Sequence, residues 1–278
     1  MITRKFVWAL GIACACALLS SCALPFSVQP VTPAQPVQVV SANATTRTLK
    51  HVFGESVVPL APQRVLAIGE DAVLVNLLDL GLKPVASNVN VPERVPLVQP
   101  SELSGVQLFA SAAEFSLEKL SAFKPDLIIG TRFFIETAGY DKLSAIAPTV
   151  ALGGADELEA FVELARVLGK EAEAQKQVNA FKQQLQDEAK RIGAAGRKLS
   201  VGTVYPGPNL AAWVGGPSPI PKMLLDMGFA LSPDATAAEP FGIKSGRAFI
   251  SPEKLDVFAA DTMVLLQSAS VEGELDAV

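Results

Sequence analysis

The 278-residue chain contains one histidine, two tyrosines, two tryptophans and three cysteines. Each scarcity removes a class of function. Cys14, Cys16 and Cys22 all precede residue 23, so the rest of the chain has no disulfide framework and no thiolate metal ligands. His51 stands alone, which excludes zinc or manganese sites built from several histidines. A Ser-His-Asp centre would have to use His51, and no Gly-x-Ser-x-Gly elbow accompanies it. His51 alternates with apolar neighbours and reads as a strand histidine with a solvated or satisfied ring. Neither a Walker A loop nor a Gly-x-Gly-x-x-Gly turn occurs. Positive charge is short as well: 23 Lys and Arg against 28 Asp and Glu give a formal charge of -5. That balance argues against nucleic acid or an anionic membrane surface as a partner. No catalytic residue, metal site or cofactor is expected.

What is present begins with an export signal over residues 1–22. Arg4 and Lys5 form its positive end, and Phe6 to Leu19 is apolar but too short to span a bilayer. Leu19-Ser20-Ser21-Cys22 resembles a bacterial lipobox, in which Cys22 is acylated and becomes the mature N-terminus and membrane anchor. Residues 23–46, rich in Pro, Val, Gln, Ala and Thr, read as a flexible tether. Half the chain is hydrophobic, enough for one large or two medium cores.

Two stretches recur. At an offset of 135, Ser116, Glu118, Lys119, Leu120, Phe123 and Asp126 return as Ser251, Glu253, Lys254, Leu255, Phe258 and Asp261. Upstream, Leu77-Leu78-Asp79-Leu80-Gly81-Leu82 is echoed by Leu224-Leu225-Asp226-Met227-Gly228-Phe229 at an offset of 147. Two echoes in the same order point to one supersecondary unit used twice. Each Ser is an N-cap candidate, and each Glu lies in a first turn, where the helix dipole favours an anion. Each Asp precedes an apolar run that reads as a buried strand.

Between the copies, Phe161, Leu164, Ala165 and Leu168 are spaced as one helix face. A second stripe, Ala174, Val178, Phe181, Leu185, Ala189 and Ile192, predicts a helix about 35 Å long at about 1.5 Å per residue. The expected architecture is therefore α/β, with two parallel-sheet lobes joined by a single long helix. The first lobe is assigned to 47–155, the linking spine to 156–193 and the second lobe to 194–278. Counted against the first lobe, the second is expected to be incomplete at its C-terminal end. Strand ends in such lobes carry ligands. The candidates are Gly69-Glu70-Asp71, Ser87-Asn88 and Thr131-Arg132-Phe133 in the first lobe, and Tyr205, Asn209, Trp213 and Gln267 in the second. Arg94 and Arg247 add positive charge. This aromatic and cationic set suits a planar or chelated anionic organic ligand.

The runs His51–Ile68 (H-V-F-G-E-S-V-V-P-L-A-P-Q-R-V-L-A-I), Leu77–Ala86 (L-L-D-L-G-L-K-P-V-A), Ser116–Gly130 (S-L-E-K-L-S-A-F-K-P-D-L-I-I-G) and Tyr140–Val150 (Y-D-K-L-S-A-I-A-P-T-V) resemble the iron-siderophore substrate-binding proteins of ABC importers. The style is closest to the ferric-citrate and ferric-hydroxamate group. The resemblance covers residues 47–278 and implies a class III periplasmic-binding-protein fold. It further implies a ferric siderophore held between the lobes, with the iron bound by the chelator and not by side chains. One glutamate per lobe, here Glu118 and Glu253, is implied to dock on the permease of the importer, and the protein is expected to be monomeric. One departure is the lack of an arginine in 108–114, which leaves Arg132 or Arg94 to meet the ligand's acidic groups, or a less anionic ligand. Alternatives within the fold are a cobalamin or haem binder. Outside it stand an α/β enzyme or a surface adhesion module.

Overall fold

The computed structural model describes residues 35–110, 116–154, 156–205, 209–215, 219–244 and 246–267, without the side chains of 209, 219, 252 and 267. The signal segment, Cys22 and the start of the tether lie outside this set. The rest of the tether does not. Gln38–Ala42 is strand β1, antiparallel to β2 (Thr46–His51), which pairs in turn with β3 (Gly54–Pro59). The composition of 38–42 hid this strand, because all five residues are exposed and show no burial alternation. Backbone pairing holds it instead.

The first lobe then alternates strand and helix: β4 (Val65–Ile68), α1 (Glu70–Asp79), β5 (Ala86–Val89), β6 (Gln107–Ala110), α2 (Leu117–Ala122), β7 (Leu127–Thr131), α3 (Arg132–Ala138), α4 (Tyr140–Ser144) and β8 (Thr149–Leu152). The five strands β6-β5-β4-β7-β8 are all parallel. Every residue of β4, β5 and β8 is buried, as expected for strands covered on both faces. Val65, Ala67, Leu127 and Ile129 pack on one side with Leu77 and Leu164; Leu66, Ile68 and Ile128 pack on the other with Leu120, Ile135 and Leu143.

Helix α5 (Glu157–Leu168) buries the predicted face of Phe161, Leu164, Ala165 and Leu168 on this core. Helix α6 (Glu171–Ile192) is the spine; its 22 residues span about 33 Å at about 1.5 Å per residue. Its stripe is buried at Ala174, Val178 and Ala189, half-buried at Leu185 and exposed at Phe181 and Ile192. Ala174 and Val178 join the first-lobe core and Ala189 a second-lobe core, whereas Phe181 is 40% exposed. A helix that bridges two lobes has this pattern, because its middle packs on neither.

The second lobe comprises β9 (Lys198–Tyr205), β10 (Asn209–Trp213), α7 (Pro219–Asp226), β11 (Ala230–Leu231), α8 (Ala235–Ala238), β12 (Ile243–Lys244), β13 (Arg247–Ile250), a 3-10 helix over Pro252–Phe258 and β14 (Thr262–Gln267). Its sheet is mixed, which corrects the expectation of two parallel sheets. β11 and β14 run parallel to β9, but β10 and β13 are antiparallel neighbours. Only three residues separate Tyr205 from Asn209. A parallel crossover needs a dozen or more, so the chain turns straight back.

The internal repeat is a structural repeat. In each lobe a helix ends in the same pair of bonds: Gly81 N–H to Leu78 O and Leu82 N–H to Leu77 O, then Gly228 N–H to Leu225 O and Phe229 N–H to Leu224 O. Both glycines have positive φ, 72° and 91°, which such a helix end requires. Asp126 accepts the Gln63 and Arg64 amides at the start of β4, and Asp261 accepts the Lys198 amide at the start of β9. The repeat therefore ties the start of β7 to its neighbour β4, and the start of β14 to its neighbour β9.

Candidate functional site

The first sheet order places β5 and β7 on opposite sides of β4, so the strand order, not the strand direction, reverses there. Ligands bind at such switch points, beyond the carboxyl ends of the strands. Gly69 and Glu70 follow β4, and Thr131 ends β7. Both predicted segments therefore stand at the switch point. Gly130, opposite Ile68, allows the two strands this approach: a Cβ there would lie 2.0 Å from the Ile68 carbonyl oxygen.

Among the predicted first-lobe residues, Asn88 is fully buried. Its Oδ1 accepts the amides of Gly69 at 2.8 Å and Glu70 at 3.1 Å, so it caps α1 and positions the loop, and has no surface to offer a ligand. Glu70 is half-buried at φ 58°, a left-handed conformation held by this cap. Arg132 and Phe133 lie in the first turn of α3. Arg132 lies 3.7 Å from Glu136, and Phe133 is 67% exposed, edge-on to Phe134 at 5.1 Å. Arg94 is exposed in a turn.

In the second lobe, β9 ends at Tyr205, and Gln267 ends β14 beside Val204. These are the carboxyl ends of a neighbouring parallel pair, β9 and β14. Antiparallel register places Thr203, Tyr205, Trp213, Arg247 and Phe249 on one face of β9-β10-β13. The opposite face, Val204, Leu210, Ala212 and Ala248, is core. Arg247 sits 5.1 Å from the Trp213 ring centroid and 5.9 Å from that of Tyr205. It also donates to the Tyr205 hydroxyl, while its Nε is buried without a partner. Among the described residues no carboxylate lies within ion-pair distance of it. Trp213 donates to Thr203 Oγ1 at 2.7 Å. Phe249, which the sequence reading passed over, tilts on Tyr205 at 5.9 Å and is half-exposed. Its signal was its place two residues beyond Arg247 in an alternating strand. Trp213 packs with Ile220 and Leu224 of α7, and Lys222 of that helix reaches Asp156, the N-cap of α5, at 3.8 Å. Helix α7 thus adjoins α5.

Glu118 and Glu253 are both fully exposed and held alike. A bond from its own backbone amide lowers the carboxyl pKa of each, and the hydroxyl two residues before, Ser116 or Ser251, adds to this. Ser116 also caps α2 through the Lys119 amide, whereas Ser251 makes no such cap and its segment is a 3-10 helix.

His51 is buried, as a satisfied strand histidine. Its Nε2 lies 3.0 Å from Ser56 Oγ, but Ser56 donates its one proton to the Thr149 carbonyl at 2.7 Å. Ser56 must therefore accept from His51 Nε2–H and from Tyr140, and is no nucleophile activated by His51. Nδ1 faces the Phe53 amide, leaving no place for a second ring proton. Burial lowers the His51 pKa. For such a group, stability is complete above the unfolded value of about 6.5 and falls as pH drops through the folded value. Thermal unfolding is therefore expected at lower temperature at pH 5 than at pH 7.5. His51→Gln should remove that component of the pH dependence and lower stability by about 1–3 kcal/mol through broken buried bonds. An unchanged pH slope in the variant would contradict this.

Comparison with known proteins follows the same lines. The sequence profile described as periplasmic binding protein matches residues 67–276. The putative ABC transporter substrate-binding lipoprotein YhfQ of Bacillus subtilis is 31% identical over 151 residues, 52% of this chain and 46% of that protein. The probable siderophore-binding lipoprotein YfiY of the same organism is 33% identical over 171 residues, 57% and 52% of the two chains. The chain spans about half the length of the curated relatives it matches. Among solved structures, Staphylococcus aureus SirA complexed with staphyloferrin B superposes with TM-score 0.63 at 26% identity, over 80% of this chain and 76% of that one.

Proposed function

The chain belongs to the periplasmic binding protein family, and from that premise we propose that it captures a ferric siderophore outside the cytoplasmic membrane and delivers it to an ABC importer. The observation that carries this reading is Arg247: a guanidinium fixed against two aromatic rings, with no carboxylate to neutralise it among the described residues. An anionic, partly planar chelate would supply both the missing charge and the stacking surface. The opposite wall is the first-lobe switch point, with Glu70, Thr131, Arg132 and Phe133; Asn88 shapes it from below. Iron stays with its chelator, so the protein needs no metal ligands and no cofactor.

Residues 1–22 are read as a lipoprotein signal, with Cys22 as the anchor, and the protein acts as a monomer. No helix among the described residues is long and apolar enough to cross a membrane. Glu118 and Glu253 serve as the two acidic knobs that meet the permease, one per lobe. Reversing both to Lys should reduce iron uptake by about tenfold or more, as paired charge contacts are lost. Binding of the ferric siderophore by the purified protein should be unchanged. Unaltered uptake would remove the docking role, and lost binding would show that the glutamates act on the ligand side.

A further inference from the structure

Glu163 is 1% exposed in the middle of α5. Its carboxylate accepts the backbone amides of Val37, Gly153 (3.1 and 3.0 Å) and Gly154 (2.7 Å). Burial pushes its carboxyl pKa up, against those three amides and Arg166. One turn on, Arg166 Nη1 donates to the Val37 carbonyl at 2.7 Å, so α5 holds both backbone groups of Val37, whose side chain is itself in the core. The segment before β1 is thereby a strap laid over the crossover from β8 to α5. Both crossover glycines are forced by close approach: a Cβ on Gly153 would meet Gln35 O at 2.6 Å, and one on Gly154 would meet the Ala160 amide nitrogen at 2.7 Å.

The crossover leads to Asp156. Its Oδ1 caps α5 through the Glu159 amide, and its Oδ2 lies 3.8 Å from the Nζ of Lys222 in the second lobe, which also donates to Asp226 of its own helix at 2.9 Å. The spine packs on the first lobe at its start and on the second at its end, so this ion pair is a second link between the lobes, off the axis of α6. Exposed pairs of this kind are worth about 0.2–1 kcal/mol. A difference of that size changes the ratio between two lobe arrangements by up to about fivefold.

We propose that Glu163 is a positioning residue for ligand capture: by gathering the amides of Val37, Gly153 and Gly154 it fixes the crossover that carries Asp156, and through Asp156 and Lys222 it sets the angle between the lobes. The consequence for binding rests on the ferric-siderophore reading above; the consequence for lobe geometry does not. The strap and the crossover share one carboxylate, so the N-terminal segment and the lobe angle are mechanically coupled.

The test measures lobe separation without ligand. Spin labels are placed at Ser144→Cys in the first lobe and Thr236→Cys in the second, both exposed, in the full chain with Cys14, Cys16 and Cys22 replaced by Ser. Glu163→Gln and Lys222→Met are each expected to broaden the inter-label distance distribution or shift it by more than about 2 Å. In the Lys222→Met background, Glu163→Gln should add nothing further. A carboxylate that merely stabilised the first lobe would lower the unfolding midpoint and leave the native distance unchanged; that result overturns the proposal, as does additivity of the two variants. Should Glu163→Gln fail to fold, Lys222→Met and Asp156→Asn decide alone, and unchanged distances in both overturn it. A distance shift in a protein that binds no ferric siderophore would sink the functional reading and leave the positioning role standing.

Discussion

Arg247→Met is expected to weaken ferric siderophore binding by about 100-fold while leaving the fold intact. The side chain is half-buried and contributes one bond, to Tyr205, to the protein itself. Its Nε is buried without a partner, and among the described residues no carboxylate lies within ion-pair distance of it. Charge-assisted hydrogen bonds contribute about 1.5–3 kcal/mol each, and a chelate oxygen meeting this fork would lose that on truncation. Arg247→Lys keeps the charge and loses the planar stack on Trp213 and the fork geometry, so a loss of about tenfold is expected. Arg132→Met and Arg94→Met should change affinity by less than about threefold. Arg132 already has Glu136 at 3.7 Å, and Arg94 is exposed on a turn, where its charge is screened. Isothermal titration of the four variants against one ferric siderophore separates these cases. Equal losses in all of them would mean that diffuse charge, and not the stacked guanidinium, recruits the ligand.

Gly130→Ala is expected to destabilise the protein by about 3 kcal/mol or more. The added methyl would lie 2.0 Å from the Ile68 carbonyl oxygen and 3.1 Å from Ile135 Cδ1. The first obstacle is backbone within the β4–β7 ladder, so relief requires parting the strands at their carboxyl ends. The Gly69–Glu70 turn and Thr131 flank that point, and the variant should lose ligand affinity even under conditions where it remains folded. Urea unfolding followed by circular dichroism measures the first effect. A midpoint within about 0.5 kcal/mol of the parent, when scaled by the slope, would contradict the packing argument.

The first lobe was legible because strand and helix alternate there on short links, and because its strands are apolar on both faces. The spine was legible from its stripe, and its bare middle at Phe181 makes sense only once two lobes share it. The second lobe misled where a rule was passed over. The link from Tyr205 to Asn209 is too short for a parallel crossover, and that alone called for a hairpin. Alternation in Arg247-Ala248-Phe249-Ile250 marked β13, yet the Gly, Pro and Ala around it read as loop. Strand β1 left no pattern because none of it is buried. Of the candidate site, Glu70, Thr131, Tyr205 and Trp213 stand at strand ends as expected, Arg247 lies in a strand where loop was expected, and Asn88 turned inward to cap α1. Glu163 gave no sequence signal at all. A glutamate in an amphipathic helix looks solvated, and the three amide partners of Glu163 come from residues 37, 153 and 154, which only the fold brings together.

The most direct test of the account is a fluorescence titration of the protein with Trp213, the one tryptophan beyond the signal segment. The panel is ferric citrate, ferric hydroxamates, ferric catecholates, haem and cobalamin, with the iron-free form of each chelator as control. Saturable quenching by one anionic ferric chelate, and not by its iron-free form, is the predicted result. It would place the ligand against the Trp213–Arg247 face. Saturation by cobalamin alone, or no saturation by any ferric chelate, would contradict it.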